Sequence, residues 1–319
     1  MMERMESLGN RWQSSVGCLI NELCLLSSAT TVDDERQQAL DAQSQSWLDT
    51  ISKLYAEPHR AYHNMTHVQD VIASLDFLLD GRDVSIGALT TNEESVLILA
   101  AFFHDVVYNP KSSTNEKDSA DLFLQFASEL TKTIFSPTLK QQEEGISGDD
   151  NDGQAYTQQY VRNCKMVTQI EECIIATATH ISSAESAHEM QNHTLATFLD
   201  ADMSILGKDV DVYDKYAGCI RREYEFVERK MYCDKRADIL ESFLPLIVEA
   251  EVNTSPKSAI PVKRHAFIYA TEKARQQWEE QARKNLKNEI EMLRRGIIPC
   301  ETQKDGSCIQ EQPHCTSQL

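Results

Sequence analysis

A chain of 319 residues can form one large domain or two small ones and bury a sizeable core, so length alone excludes little. Its 31 Lys and Arg against 50 Asp and Glu give a net charge of -19, which repels nucleic-acid polymers and anionic membranes, so that a phosphate-bearing substrate would need local help from a cation or a few placed Arg residues. No apolar run approaches the roughly 20 residues of a membrane span, the N-terminus lacks the apolar core of a secretory signal, and nine Cys without a CxxC pair suit a reducing compartment, so a soluble cytoplasmic protein is expected.

Apolar residues recur at spacings of three and four, and no alternating β-branched run stands between Gly or Pro punctuation, which predicts an all-α, compact multi-helix fold. Val68, Val71, Ile72, Leu75, Leu78 and Leu79 form one stripe, with Gly81-Arg82-Asp83 as its stop. Thr91-Asn92-Glu93-Glu94 opens the next helix, and Val96 to Phe103 is apolar all round, the pattern of a fully buried helix that ends in His104 and Asp105. A stretch rich in Glu, Asp, Gly and Gln at about 136–160 predicts a mobile acidic insertion. From Val161 to His180 the helical pattern resumes, with Ile170, Ile174 and Ile175 on a buried face. A long helical stretch over Val210–Glu251 carries Ile220, Tyr224, Val227, Leu240, Phe243 and Leu244; Asn253 to Pro261 reads as a loop and Phe267 to Leu293 as a charged amphipathic helix. Ligand candidates lie on both sides of the insertion, so a single domain over 1–298 is expected, followed by a flexible tail over 299–319.

Three fragments carry chemistry: Tyr62-His63-Asn64-Met65-Thr66-His67, Phe103-His104-Asp105 and Leu199-Asp200-Ala201-Asp202-Met203. Neutral imidazoles and ionised carboxylates are the ligands of divalent cations, and burying so many ionisable groups is costly unless something pairs with them. His63 and His67 are four apart, but the zinc-protease pattern requires Glu after the first His and Asn64 stands there, which excludes a metalloprotease of that kind. Successive helical residues are about 100° apart, so His104 and Asp105 can both reach a cation to one side. A carboxylate has two oxygens, which suits Asp105 to bridging a second ion; His180 is a candidate ligand for that ion, and equally a substrate contact or a structural histidine. Asp200 and Asp202 compete for the last carboxylate position, and Arg60 has the planar fork of a phosphate clamp.

The segment Pro58-His59-Arg60-Ala61-Tyr62-His63-Asn64-Met65-Thr66-His67 resembles that of a group of predicted phosphohydrolases in the HD-domain superfamily, which carry Pro-x-Arg-x-Tyr-His-x-x-x-His. The resemblance spans roughly residues 45–250, and Tyr-His-Asn-x-x-His is also similar to the signature of cyclic-nucleotide phosphodiesterases. It implies an HD-domain fold in which His67, His104, Asp105 and Asp202 hold the metal, the Ala-Asp pair favouring Asp202 over Asp200. By the same resemblance His63 matches the phosphodiesterase proton donor, and Tyr108 stands where those enzymes carry a further His. Asn115-Glu116 resembles a segment near the family's site, where it would touch substrate or orient water, and it would equally cap a helix from Lys117. Ile220-Arg221-Arg222-Glu223-Tyr224 and Ala282-Arg283-Lys284-Asn285-Leu286 resemble later blocks that would bring Arg221 or Arg283 to an anion.

The function so implied is a metal-dependent phosphohydrolase acting on a small phosphoester, a nucleotide among the candidates. A metal-activated water would attack phosphorus, with His63 and Asp105 catalytic and Arg60, Asn115, Glu116, Arg221 and Arg283 contacting substrate. One or two divalent ions are expected, from Mn, Fe, Co, Ni, Zn or Mg. The alternatives are a diiron HD-type oxygenase, which needs further His ligands, and a catalytically silent HD-fold binding or regulatory protein.

Overall fold

Helix is the only regular structure among the residues that the computed structural model describes, namely 2–26, 32–80, 90–135, 150–180, 184, 187, 191–244 and 267–300. The all-α class expected from the apolar spacing is the one observed. Gly81-Arg82-Asp83, the loop from Asn253 to Pro261 and the tail beyond Cys300 lie outside the described residues, as do 136–149 of the expected insertion. The chain divides into two compact units, Met1–Ala178 and Thr179–Leu319, whereas the sequence patterns placed their one boundary at 298.

The first unit contains α1 (Met2–Leu25), α2 (Asp34–Tyr55), α3 (Met65–Leu79), α4 (Thr91–Phe103), α5 (Asn115–Phe135), α6 (Asp150–Asn163) and α7 (Lys165–Ala176). At its centre is α4, against which α1, α3, α5 and α7 pack. Thr90 starts it with a complete capping box: its hydroxyl accepts the Glu93 amide, and the Glu93 carboxylate accepts the Thr90 amide. Every residue from Ser95 to Phe103 is buried, as the unbroken apolar run requires. Aromatic rings lock this core: Trp12 of α1 meets Phe102 edge-on with centroids 5.1 Å apart, and Phe126 of α5 lies 5.4 Å from Trp47 and 5.5 Å from Phe103.

Three local departures from the sequence patterns follow from packing. Helix α6 at residues 150–163 begins inside the stretch read as an insertion and runs past its end, and Tyr160 and Val161 secure it: the Tyr160 hydroxyl donates to the Leu23 carbonyl and Val161 is buried. The helical stretch expected from Val161 onward is interrupted at Cys164, whose backbone is extended (ψ 113°). On α7, Ile170 and Ile174 are buried, but Ile175, expected with them, is 42% exposed because it lies one position, about 100°, round the helix from Ile174.

The second unit contains α8 (His193–Asp202), a 3-10 turn (Met203–Gly207), α9 (Val210–Glu223), α10 (Arg229–Phe243) and α11 (Glu280–Arg294), the last preceded by a π-helical turn at Arg275–Glu279. The continuous helix expected from Val210 is broken at 224–228. Arg221 gathers the carbonyls of Tyr224 and Val227 at 3.0 Å each, and the Glu228 carboxylate accepts the Met231 amide to start α10. Between α9, α10 and α11 lies a buried polar knot, in which the Glu289 carboxylate accepts from the Tyr213 hydroxyl and, at 3.0 Å, from Arg236 Nε. The start of the expected tail is packed: Pro299 and Cys300 run so close to Gly218 that a Cβ there would stand 2.5 Å from the Cys300 carbonyl oxygen.

The amphipathic helix expected from Phe267 onward begins only at Glu272. Residues 268–271 instead present four successive backbone amides to two carboxylates. Glu279 accepts Ile268 and Tyr269, and Asp200 accepts Ala270 and Thr271, each of the latter at 2.7 Å. The segment thereby satisfies its backbone without a neighbouring strand.

Candidate metal centre

In the first unit, two helix ends and one turn bring the candidate ligands together. Asn64 caps α3 by accepting the Thr66 amide, so His63 stands in the turn before the helix and His67 in its first turn. His104 follows the last residue of α4 and is 1% exposed; its Nδ1 lies 3.0 Å from the Ala101 carbonyl. A carbonyl only accepts, so Nδ1 carries the proton and the lone pair of the neutral ring is on Nε2.

That Nε2 faces a second imidazole nitrogen and a carboxylate oxygen. It lies 3.0 Å from His67 Nε2 and 3.1 Å from Asp105 Oδ2, and His67 Nε2 is 3.6 Å from the same oxygen. A lone pair directed at a carboxylate oxygen is repulsive unless a proton or a cation lies between them. Donor atoms bound about 2.1 Å from one cation stand roughly 3.0 Å apart at octahedral angles and roughly 3.4 Å apart at tetrahedral ones. The three separations span those values, so the donor set fits a divalent cation. With no cation bound, the positive charge between these atoms falls to protons: burial acts to raise the Asp105 carboxyl, and protonated His104, His63 and His67 rings outweigh it and hold it well below the usual carboxylate range.

His63 stands one step back, with Nε2 4.0 Å from Asp105 Oδ2 and its ring 4.3 Å from that of Tyr108. The Tyr108 ring also stacks over His59 at 6.2 Å, and His59 Nε2 is 2.9 Å from the Tyr108 carbonyl. Tyr62 edges both His63 and His67. Neither tyrosine was singled out as a wall of the site from the sequence, although Tyr62 stands directly before His63 there.

In the second unit, Asp202 ends α8 and its Oδ2 is 2.7 Å from His180 Nε2, so two further sequence candidates stand together. Asp200, the competitor of Asp202, has both oxygens occupied by the Ala270 and Thr271 amides and is 2% exposed; burial pushes its carboxyl up to about 6 against those donors. The turn after Asp202 is fixed from α11 and the segment before it: Asn285 donates to the Leu206 and Lys208 carbonyls at 2.8 Å, and the Tyr269 hydroxyl donates to the Met203 carbonyl at 3.1 Å.

Four of the five residues expected to contact substrate, Arg60, Asn115, Arg221 and Arg283, have partners within the chain. Arg60, read as a phosphate clamp, is 7% exposed and directs its donors at Glu57 and at the carbonyls of His63, Asp105 and Val106. Asn115 exchanges two hydrogen bonds with the Asn109 backbone, closing the 109–115 loop, and Glu116 is half-buried in the first turn of α5. Arg221 serves the helix break described above, and Arg283 pairs with Glu279 at 2.6 Å. Glu57, the counter-ion of Arg60, was missed, although its spacing three residues before Arg60 is legible. No protein-family model, curated protein or solved structure matches this chain.

Proposed function

We propose that this protein is a metal-dependent phosphohydrolase whose cation is held by His67, His104 and Asp105, with Asp202 as the remaining carboxylate ligand. The observation that carries the reading is the convergence of three donor atoms, with His104 Nε2 3.1 Å from Asp105 Oδ2 and 3.0 Å from His67 Nε2. Asp202 enters through the resemblance to the HD pattern, and the bond from His180 to Asp202 suits an imidazole that orients a ligand carboxylate or joins a second ion.

A bound divalent cation would supply an activated water near neutral pH and polarise a phosphoryl oxygen. The chain's own residues do the rest. Asp105 and His104 orient the donor set, the buried end of α4 keeps bulk water from their inner face, and His63 delivers a proton from its ring to the leaving oxygen. Arg60, Arg221 and Arg283 already bond to carbonyls or to Glu279, so the grip on the anion falls mainly to the cation.

The test is elemental analysis of the purified full chain together with phosphate release from a panel of phosphomonoesters and nucleotides. Stoichiometric metal and turnover are expected, both lost in His104→Ala and Asp105→Ala, while His63→Ala keeps metal and loses turnover. A wild-type protein that takes up no divalent metal, or either of the first two variants with unchanged metal content, refutes the site.

A further inference from the structure

We propose that Arg60 is a positioning residue: it fixes the main chain that carries His63 and Asp105, and it does not bind the substrate anion. The proposal rests on the metal centre proposed above. Its basis is the number and direction of the guanidinium bonds. Arg60 Nη1 donates to the His63 carbonyl at 3.1 Å and to the Asp105 carbonyl at 2.7 Å, and Nη2 donates to the Val106 carbonyl at 2.9 Å. Nε donates to Glu57 at 3.1 Å, which neutralises the buried charge. Four of the five N–H directions of the fork are thereby committed, and they join two stretches of chain 45 residues apart.

The faces of the guanidinium are occupied too. The Tyr55 ring lies 5.1 Å from its central carbon and the Tyr108 ring 5.5 Å. Tyr108 in turn touches His63 at 4.3 Å, so Arg60 reaches the proton donor by two routes, through its carbonyl and through the ring against it. Phosphate binding at Arg60 would require breaking bonds that hold the site. A lysine cannot substitute, because three donors radiating from one nitrogen do not span the His63, Asp105 and Val106 carbonyls. The sequence segment Pro58-His59-Arg60-Ala61-Tyr62-His63 thus places the bracket and the group it positions three residues apart.

The experiment compares the full-length wild type with Arg60→Lys and Arg60→Ala, using Co2+ as the metal. Helix content by circular dichroism and cooperative unfolding serve as the control for folding. Three quantities are read: Co2+ affinity by chelator competition, the visible spectrum of bound Co2+, and the ring-proton NMR signals of His63 and His104 in metal-free protein. In Arg60→Lys, at least tenfold weaker Co2+ binding, an altered spectrum and displaced His63 and His104 signals are expected. Methylguanidinium should restore the spectrum in Arg60→Ala. Turnover, where measured, should fall in kcat more than KM rises.

A wild-type affinity and spectrum in Arg60→Lys would overturn the proposal, as would a rise in KM with kcat unchanged, which is the signature of a substrate clamp. If the wild type bound no Co2+, the metal reading would fail by itself. The ring signals of the metal-free protein would then decide the role of Arg60, and their being unchanged in both variants would refute it.

Discussion

Replacing Asp200 by Ala removes the acceptor of two adjacent backbone amides, and the cost can be worked from the bonds it makes. The carboxylate accepts Ala270 and Thr271 at 2.7 Å each and is buried. Burial pushes its carboxyl up to about 6, so the ionised group is itself poorly solvated and its loss is partly compensated. What remains uncompensated is the pair of orphaned amides, at about 1–3 kcal/mol each, with the lower half favoured because the segment is only part-buried. A net loss of about 3 kcal/mol is expected, which for a protein of 319 residues lowers Tm by roughly 4–5 °C. Thermal unfolding gives the total, and amide exchange locates it: Ala270 and Thr271 should lose protection while the α4 amides keep theirs. A loss under about 1 kcal/mol, or unchanged exchange at both positions, would refute the reasoning that a carboxylate substitutes for a strand partner there. Metal content is the second readout, and it should survive in Asp200→Ala and fall in Asp202→Ala.

Two further perturbations test the second unit. Glu289→Ala leaves the Arg236 guanidinium without its counter-ion in the buried knot and should cost about 3–5 kcal/mol in urea unfolding, where a change below about 1 kcal/mol would contradict it. Gly218→Ala puts a Cβ 2.5 Å from the Cys300 carbonyl oxygen, a main-chain atom that cannot rotate away; a loss of about 1–3 kcal/mol and faster alkylation of Cys300, read by mass spectrometry, are expected.

The parts of the fold that could be read from the residues are those set by local pattern. The run from Val96 to Phe103 has no polar face, so its central burial followed directly, and His104 and Asp105 at its end stood out because an apolar helix has no other use for them. Where neighbours decide, the pattern was silent. Ile174 and Ile175 are equally apolar, and only the placement of α7 against α4 and α5 separates them. Asp200 and Asp202 share one turn of helix, and the distinction comes from a segment seventy residues onward that occupies Asp200. Arg60 has the same fork whether it meets a phosphate or three carbonyls, so its role could not be deduced from residue type. The break at 224–228 was missed for a related reason: Tyr224 and Val227 continue the helical spacing, and the Arg221 side chain ends it.

The full enclosure of α4 has a consequence for how selectivity can arise. An imidazole mounted on the end of a rod wedged between Trp12, Phe123 and Phe126 inherits the stiffness of the interior, so its aim is set when the protein folds and stays fixed on encounter with a ligand. Such a mount gives up adaptability. Discrimination between one compound and another would therefore fall to chain outside that rod and outside the turn that Arg60 fixes, and the loop closed by Asn109 and Asn115 is one such stretch within the first unit.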